Sequence, residues 1–231
     1  MYLPSSPYQH ISKLMDLVVN LNPGSVLDIG PGFGKYGLLC REYLDLWDGR
    51  QNYSEFLRRI DCIEVFENYI TPLHKFVYDN VYVKDIFELV DQLNFSYDLV
   101  LLIDVLEHFD KEKGRSLLTK ILANNKGVLI STPKNPSNQK DAFGNIYETH
   151  KAKWTKKELS DVERSTGMYS FSVPDSTHLI LYIGESKSSE KLRRRLLILR
   201  HIKKIPGMRH ILPVGVRYVK KFSGYIRHLE Y

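Results

Sequence analysis

Short apolar runs recur along the first 132 residues, at Ser25–Ile29, Arg59–Val65, Val81–Val83, Tyr97–Ile103 and Gly127–Thr132. Runs this short and this continuously apolar predict strands buried on both faces. Between them the apolar positions return every three or four residues, which predicts helices over Tyr8–Leu21, Gly34–Leu44, Asn68–Tyr78 and Lys111–Asn124. Strand and helix in alternation predict right-handed crossovers and a parallel sheet covered by helices on both sides. The pattern then changes. A helix is expected over Lys156–Gly167, and two strands, Tyr169–Val173 and His178–Gly184, face each other across a short turn as an antiparallel hairpin at the sheet edge. Two long connections, DLWDGRQNYSEFL and PKNPSNQKDAFGNIYETHKAKW, have the length of functional or mobile loops.

The chain's 231 residues, 43% of them hydrophobic, suffice for one α/β core and an appendage. Two isolated cysteines, Cys40 and Cys62, fall inside expected core elements, which excludes a disulfide framework and points to a reducing, cytoplasmic setting. The start of the chain lacks the basic and apolar blocks of a secretion signal, and no stretch reaches membrane-spanning length. The net charge of +6 hides an asymmetry. Residues 187–231 hold thirteen Lys and Arg against two acids, a net of +11, which leaves −5 for residues 1–186. The division predicts a catalytic-size domain over 1–186 and a basic extension over 187–231 that meets an anionic partner.

The stretch VLDIGPGFGKYG carries the first chemical clue. In an open parallel sheet ligands sit beyond the carboxyl ends of the strands, and the glycine turn after the first strand holds them. Asp28, Gly30, Pro31, Gly32, Phe33 and Gly34 are therefore candidate cofactor residues. A dinucleotide fingerprint would place its third glycine at position 35, which is Lys35, so a nicotinamide cofactor fits poorly. Acids stand at successive strand ends. Glu64, followed by Val65, is placed to accept from both hydroxyls of a ribose; Asp85, followed by Ile86, to accept from an adenine amino group; and Asp104 closes the fourth strand.

Together, VLDIGPGFGKYG, IDCIEVFENYI, VKDIF, YDLVLLIDVLEHF and GVLISTPKN resemble the class I S-adenosylmethionine-dependent methyltransferases over about Tyr8–Gly184. The resemblance implies a Rossmann-like three-layer α/β sandwich with a seven-stranded, mostly parallel sheet in the order 3-2-1-4-5-7-6, the last strand antiparallel. It also implies that Gly30, Gly32 and Gly34 pass close to the methionine part of S-adenosylmethionine, that Glu64 binds its ribose, and that Asp85 and Ile86 flank its adenine.

Transfer of a methyl group to a hydroxyl needs a base, and His108, in DVLEHF, and His150, in YETHKAKWT, are the candidates. Asp104, Glu107 and His108 with the later His150 also resemble the E-x-x-E-H arrangement of metal-dependent O-methyltransferases, with Asp in the first place. That likeness implies a divalent metal. The segment NQKDAFGNIYETHKAKWTKKEL resembles a loop of a bacterial methyltransferase group associated with glycan and secondary-metabolite pathways, which implies a carbohydrate or small-metabolite acceptor beside an aromatic wall of Phe143, Tyr147 and Trp154, although Trp154 suits plain packing at the helix start at least as well. Two other readings stay open, an RNA-directed methyltransferase and a non-catalytic cofactor-binding scaffold. In the basic extension, Leu192, Leu196, Leu199, Ile202 and Ile205 recur at helical spacing, and Pro206 and Gly207 separate this stretch from a second basic-apolar segment. The pattern suits a helix packed on the domain or an in-plane anchor on the anionic inner face of a membrane.

Overall fold

The computed structural model describes residues 6–46, 52, 55–91 and 96–202, and the backbone alone over 196–202. After a 3₁₀ turn over Tyr8–His10, the elements are α1 (Ile11–Leu21), β1 (Ser25–Ile29), α2 (Lys35–Cys40), β2 (Arg59–Glu64), α3 (Pro72–Val77), β3 (Val81–Val83), α4 (Ile86–Leu89), β4 (Leu99–Ile103), α5 (Lys111–Asn124), β5 (Gly127–Pro133), α6 (Lys156–Thr166), β6 (Tyr169–Val173), β7 (His178–Gly184) and α7 (Ser186–Ile202).

The sheet runs β3-β2-β1-β4-β5-β7-β6, as expected. β1 pairs in parallel with β2 and β4, and β4 with β5. β7 runs antiparallel to both β5 and β6, in register from Gly127 opposite Gly184 to Pro133 opposite His178. This reversal carries His178 to the same end of the sheet at which the parallel strands deliver their carboxyl ends. The two sheet faces have separate cores. One includes Leu106, Leu117, Leu118, Trp154 and Leu159 under α4, α5 and α6; the other includes Leu14, Leu17, Val18, Cys40 and Val77 under α1, α2 and α3. Both cysteines are free and buried.

Departures from the sequence reading have local causes. The helix expected over Asn68–Tyr78 is split into a 3₁₀ turn (Glu67–Tyr69) and α3, because Pro72 occupies the first helical position and holds Thr71 extended at φ −123°. The helix expected over Gly34–Leu44 passes from α2 into a π-helical turn, Arg41–Asp45, where the buried Arg41 donates to the Val77 and Arg58 carbonyls and pairs with Asp45 and Asp79. The short α4 had no counterpart in the sequence reading. At the start of the basic extension, α7 forms as the apolar spacing predicts. Leu192 is buried in the core, Ser189 Oγ donates to the Tyr169 carbonyl, and Arg195 donates to the Asn20 carbonyl. Ile205, Pro206, Gly207 and the second basic-apolar segment lie outside the described residues. No helix among the described residues is long and apolar enough to cross a membrane.

Candidate functional site

The glycine turn after β1 is shaped by contacts that exclude side chains. Gly30 sits at φ +65°, and a Cβ there would lie 2.7 Å from Val105 Cγ2. Gly32, at φ +55°, has nothing within 4 Å of its Cβ position, so a side chain would project into open space. His74 braces the turn from behind. Its Nδ1 accepts from the Thr71 N–H at 3.2 Å, which leaves Nε2–H to donate to the Gly32 carbonyl at 2.9 Å.

A cavity of about 490 Å³ opens beyond the carboxyl ends of the strands. Asp28, Gly30, Pro31, Gly32 and Phe33 line it from the turn; Glu64 and Val65 follow β2, Asp85 and Ile86 follow β3, and Asp104 and His108 follow β4. His150 lines it from the long loop after β5. Of the candidate cofactor and base residues only Gly34 does not; at φ +84° it turns the chain into α2, donating from its N–H to the Pro31 carbonyl.

The acids differ in their attachment. Tyr78 Oη donates to Asp28 Oδ2 at 2.7 Å, and burial pushes this carboxyl up to about 6. The Phe66 N–H donates to Glu64 Oε1 at 2.9 Å, and burial raises Glu64 to about 7 against that bond. Asp85 caps α4, its Oδ1 accepting from the Phe87 N–H at 3.0 Å. Asp104 holds the unusual φ of +55° and accepts from Ser131 Oγ at 2.9 Å.

Glu107, His108 and His150 form one corner of the cavity, their ligand-type atoms all within 4.8 Å of one another. His108 Nδ1 lies 3.3 Å from the Thr149 carbonyl and His150 Nδ1 lies 2.9 Å from the Ser137 carbonyl. A carbonyl only accepts, so both Nδ1 atoms carry the hydrogen, and in a neutral ring the lone pair then sits on Nε2. Glu107 Oε2 accepts from Thr132 Oγ1 at 2.9 Å, and burial followed by repulsion from Asp104 pushes its carboxyl up to about 8. Burial drives His108 down to about 4. The loop is pinned over this corner by the Lys151 and Ala152 N–H groups, which both donate to the Glu107 carbonyl.

Two site expectations need correction. Asp104 does not join Glu107, His108 and His150; it turns toward Ser131 and His178, the latter 3.6 Å away at Nε2. Trp154 forms no part of an acceptor wall, because it is 1% exposed and packs over Gly114, donating from Nε1 to the Leu106 carbonyl at 3.0 Å. Tyr147 does line the cavity, while Phe143 is exposed away from it. The sequence reading missed His74 and His178, which lie in elements with no motif around them.

Raised carboxyl pKa values give a signed prediction. Above pH 6.5, Glu64 and Glu107 bind protons in the folded chain that the unfolded chain has released, so stability falls as pH rises toward 8. Below pH 6.5 the lowered imidazoles of His10, His108 and His178 act in the opposite sense. The melting temperature of the ligand-free protein should therefore drop between pH 6.5 and 8 in calorimetry. A steady rise across that window would mean that these acids are hydrated.

The sheet order, the reversed seventh strand and the glycine turn over a strand-end cavity are decisive together. The chain has the class I methyltransferase fold. Solved structures share it at low identity. An O-methyltransferase family protein from Burkholderia thailandensis is 15% identical with a TM-score of 0.53 over 76% of this chain, which spans 56% of that protein's length. The methyltransferase domain of a bacterial Hen1 protein is 17% identical with a TM-score of 0.52, covering 76% of this chain and 97% of that one. Magnesium protoporphyrin IX methyltransferase from Synechocystis PCC 6803, with SAH bound, is 14% identical with a TM-score of 0.52, covering 77% and 82%. No family model and no curated protein sequence matches the chain.

Proposed function

We propose that this protein is an S-adenosylmethionine-dependent O-methyltransferase whose acceptor is a small hydroxylated molecule, a carbohydrate or another metabolite. The observation that carries the reading is that one cavity joins the glycine turn and Glu64 to the imidazoles of His108 and His150. S-adenosylmethionine supplies a sulfonium methyl group to a nucleophile that approaches in line. Around it, Gly32, whose Cβ position faces open space, leaves the backbone free to approach the ligand, Gly30 makes room for Val105, and Glu64 accepts from ribose hydroxyls with an orientation fixed by the Phe66 N–H.

The acceptor hydroxyl has to lose its proton. His108, which resists protonation, suits orientation or ligation, and His150, whose Nε2 carries a lone pair, is the proposed base. A divalent ion also fits this corner. Glu107, His108 and His150 would hold it, their ligand-type atoms lying within 4.8 Å of one another. Such an ion would lower the pKa of an acceptor hydroxyl.

Titration calorimetry with S-adenosylmethionine tests the cofactor, and release of S-adenosylhomocysteine across a panel of polyols and phenols tests the reaction. Absence of cofactor binding would overturn the reading, and binding without turnover would favour a scaffold. His150→Ala is expected to lower kcat by about 10²–10⁴-fold while leaving the cofactor dissociation constant within about twofold. Unchanged turnover would remove His150 from the chemistry. If the ion is required, a chelator abolishes activity and magnesium or manganese restores it; chelator-insensitive turnover leaves the general-base mechanism alone.

For the basic extension we propose contact with an anionic membrane surface. The full chain should sediment with phosphatidylserine vesicles at low salt and detach at high salt, since each cation near such a surface contributes about 1 kcal/mol. A version ending at Ile202 keeps the buried Leu192 and should sediment less. Failure of the full chain to sediment would refute the proposal, and salt-sensitive preference for RNA would favour a nucleic-acid partner.

A further inference from the structure

A second corner of the cavity is lined by Asp104 and His178, with His10, from a distant part of the chain, packed against His178. His10, in the 3₁₀ turn before α1, and His178, the first residue of β7, are 3% and 7% exposed, and their ring centroids lie 4.1 Å apart. Thr177 connects both rings to Asp175. Its Oγ1 lies 3.1 Å from Asp175 Oδ1, 3.1 Å from His10 Nε2 and 3.0 Å from His178 Nδ1.

The hydrogen positions follow from counting. Asp175 is a firm carboxylate: burial opposes its charge, but Lys13 and the N–H groups of Thr177 and His178 hold its pKa far below the usual range. The single hydroxyl hydrogen of Thr177 therefore goes to Asp175. The two lone pairs of Oγ1 then accept from His10 Nε2–H and His178 Nδ1–H. Each imidazole, kept neutral by burial, is left with a bare lone pair, on His10 Nδ1 and on His178 Nε2. Those two nitrogens lack a hydrogen-bond partner among the described residues.

His178 lines the cavity, and its Nε2, itself buried, lies 3.6 Å from Asp104 Oδ1. That separation is too long for a hydrogen bond. A buried acceptor without a donor is costly, so this pair gains when a ligand brings donors to it. Two neighbouring acceptors with separate lone pairs match two O–H groups on adjacent carbons, one for each.

We propose that Asp104 and His178 form a second acceptor subsite that binds a vicinal diol, so that the acceptor is a polyol of carbohydrate type. The subsite rests on the methyltransferase reading for its place in the reaction. In this arrangement the diol anchors the acceptor at Asp104 and His178 while another hydroxyl is presented at His150. Asp175, Thr177 and His10 act behind the wall as positioning residues that fix the His178 tautomer.

Two measurements on the full chain test this. Long-range ¹H–¹⁵N spectra at pH 7, with S-adenosylhomocysteine added and the His178 resonances assigned by their loss in His178→Phe, should show hydrogen on Nδ1 and none on Nε2. Hydrogen on Nε2 would overturn the proposal whatever the substrate. Methyl transfer is then compared between polyols and matched mono-alcohols, with methyl glucoside and cyclohexanol as one pair. Wild type should prefer the diol-bearing member. His178→Phe should raise its KM about tenfold with a smaller change in kcat, and His178→Gln, which restores an acceptor near the Nε2 position, should recover part of the loss. Equal use of both members, or preference for amines, would also overturn it. Loss of cofactor binding in the wild type would sink the methyltransferase reading instead, while the tautomer still decides whether the wall accepts or donates.

Discussion

Replacing Glu64 with Ala is expected to weaken S-adenosylmethionine binding by about 1.5–3 kcal/mol, the worth of hydrogen bonds to a charged acceptor, which corresponds to a roughly 10–150-fold higher dissociation constant. In the proposed complex the carboxylate accepts from ribose hydroxyls, whereas the protonated acid would offer less. Because burial raises this carboxyl to about 7 in the free protein, binding must first expel a proton at lower pH. Wild-type affinity should therefore improve as pH rises from 6 to 8 and level off above that. Glu64→Gln, which cannot ionise, should lose the part of the pH dependence that Glu64 supplies. Calorimetry at several pH values checks both. An unchanged affinity in Glu64→Ala would dissociate Glu64 from the ribose.

Trp154→Ala should destabilise the fold by about 3–5 kcal/mol in denaturant titrations, the range for removing a large buried aromatic. The ring is wedged over Gly114, whose Cβ would stand 2.4 Å from Trp154 Cζ2, so α5 approaches this loop only because that position is bare. Loss of the indole also leaves the buried Leu106 carbonyl without its Nε1–H donor. Since Leu106 immediately precedes Glu107 and His108, the variant should loosen the corner holding those side chains before the sheet fails. A loss below about 1 kcal/mol would show that α5 and the loop collapse into the space.

Much of this architecture was legible because strand ends are punctuated locally. The buried runs of β1 to β5, the glycine turn and the acids that follow each strand lie in contiguous motifs, and the fold brings nearly all of them to one rim. What escaped were features made by distant packing. His178 reaches the rim because β7 runs backwards, and its chemistry depends on His10 from the other end of the domain; neither sits in a motif. Trp154 looked like an acceptor wall because aromatic residues cluster in its segment, yet the bare Gly114 draws it inward. Asp104 matched a ligand position by spacing, but its left-handed backbone turns the carboxylate toward Ser131.

The reversal of β7 also sets the polarity of the whole molecule. Its last residue, Gly184, lies opposite Gly127 at the foot of β5, so α7 departs from the end of the sheet remote from the cavity mouth, roughly 20 Å away at about 3.3 Å per strand residue. Arg195 meets Asn20 at the same end, just before β1 begins. A surface gripped through α7 would therefore hold the protein with its mouth facing outward. A tether there raises the local concentration of the enzyme at a boundary while it draws its acceptor from the aqueous side.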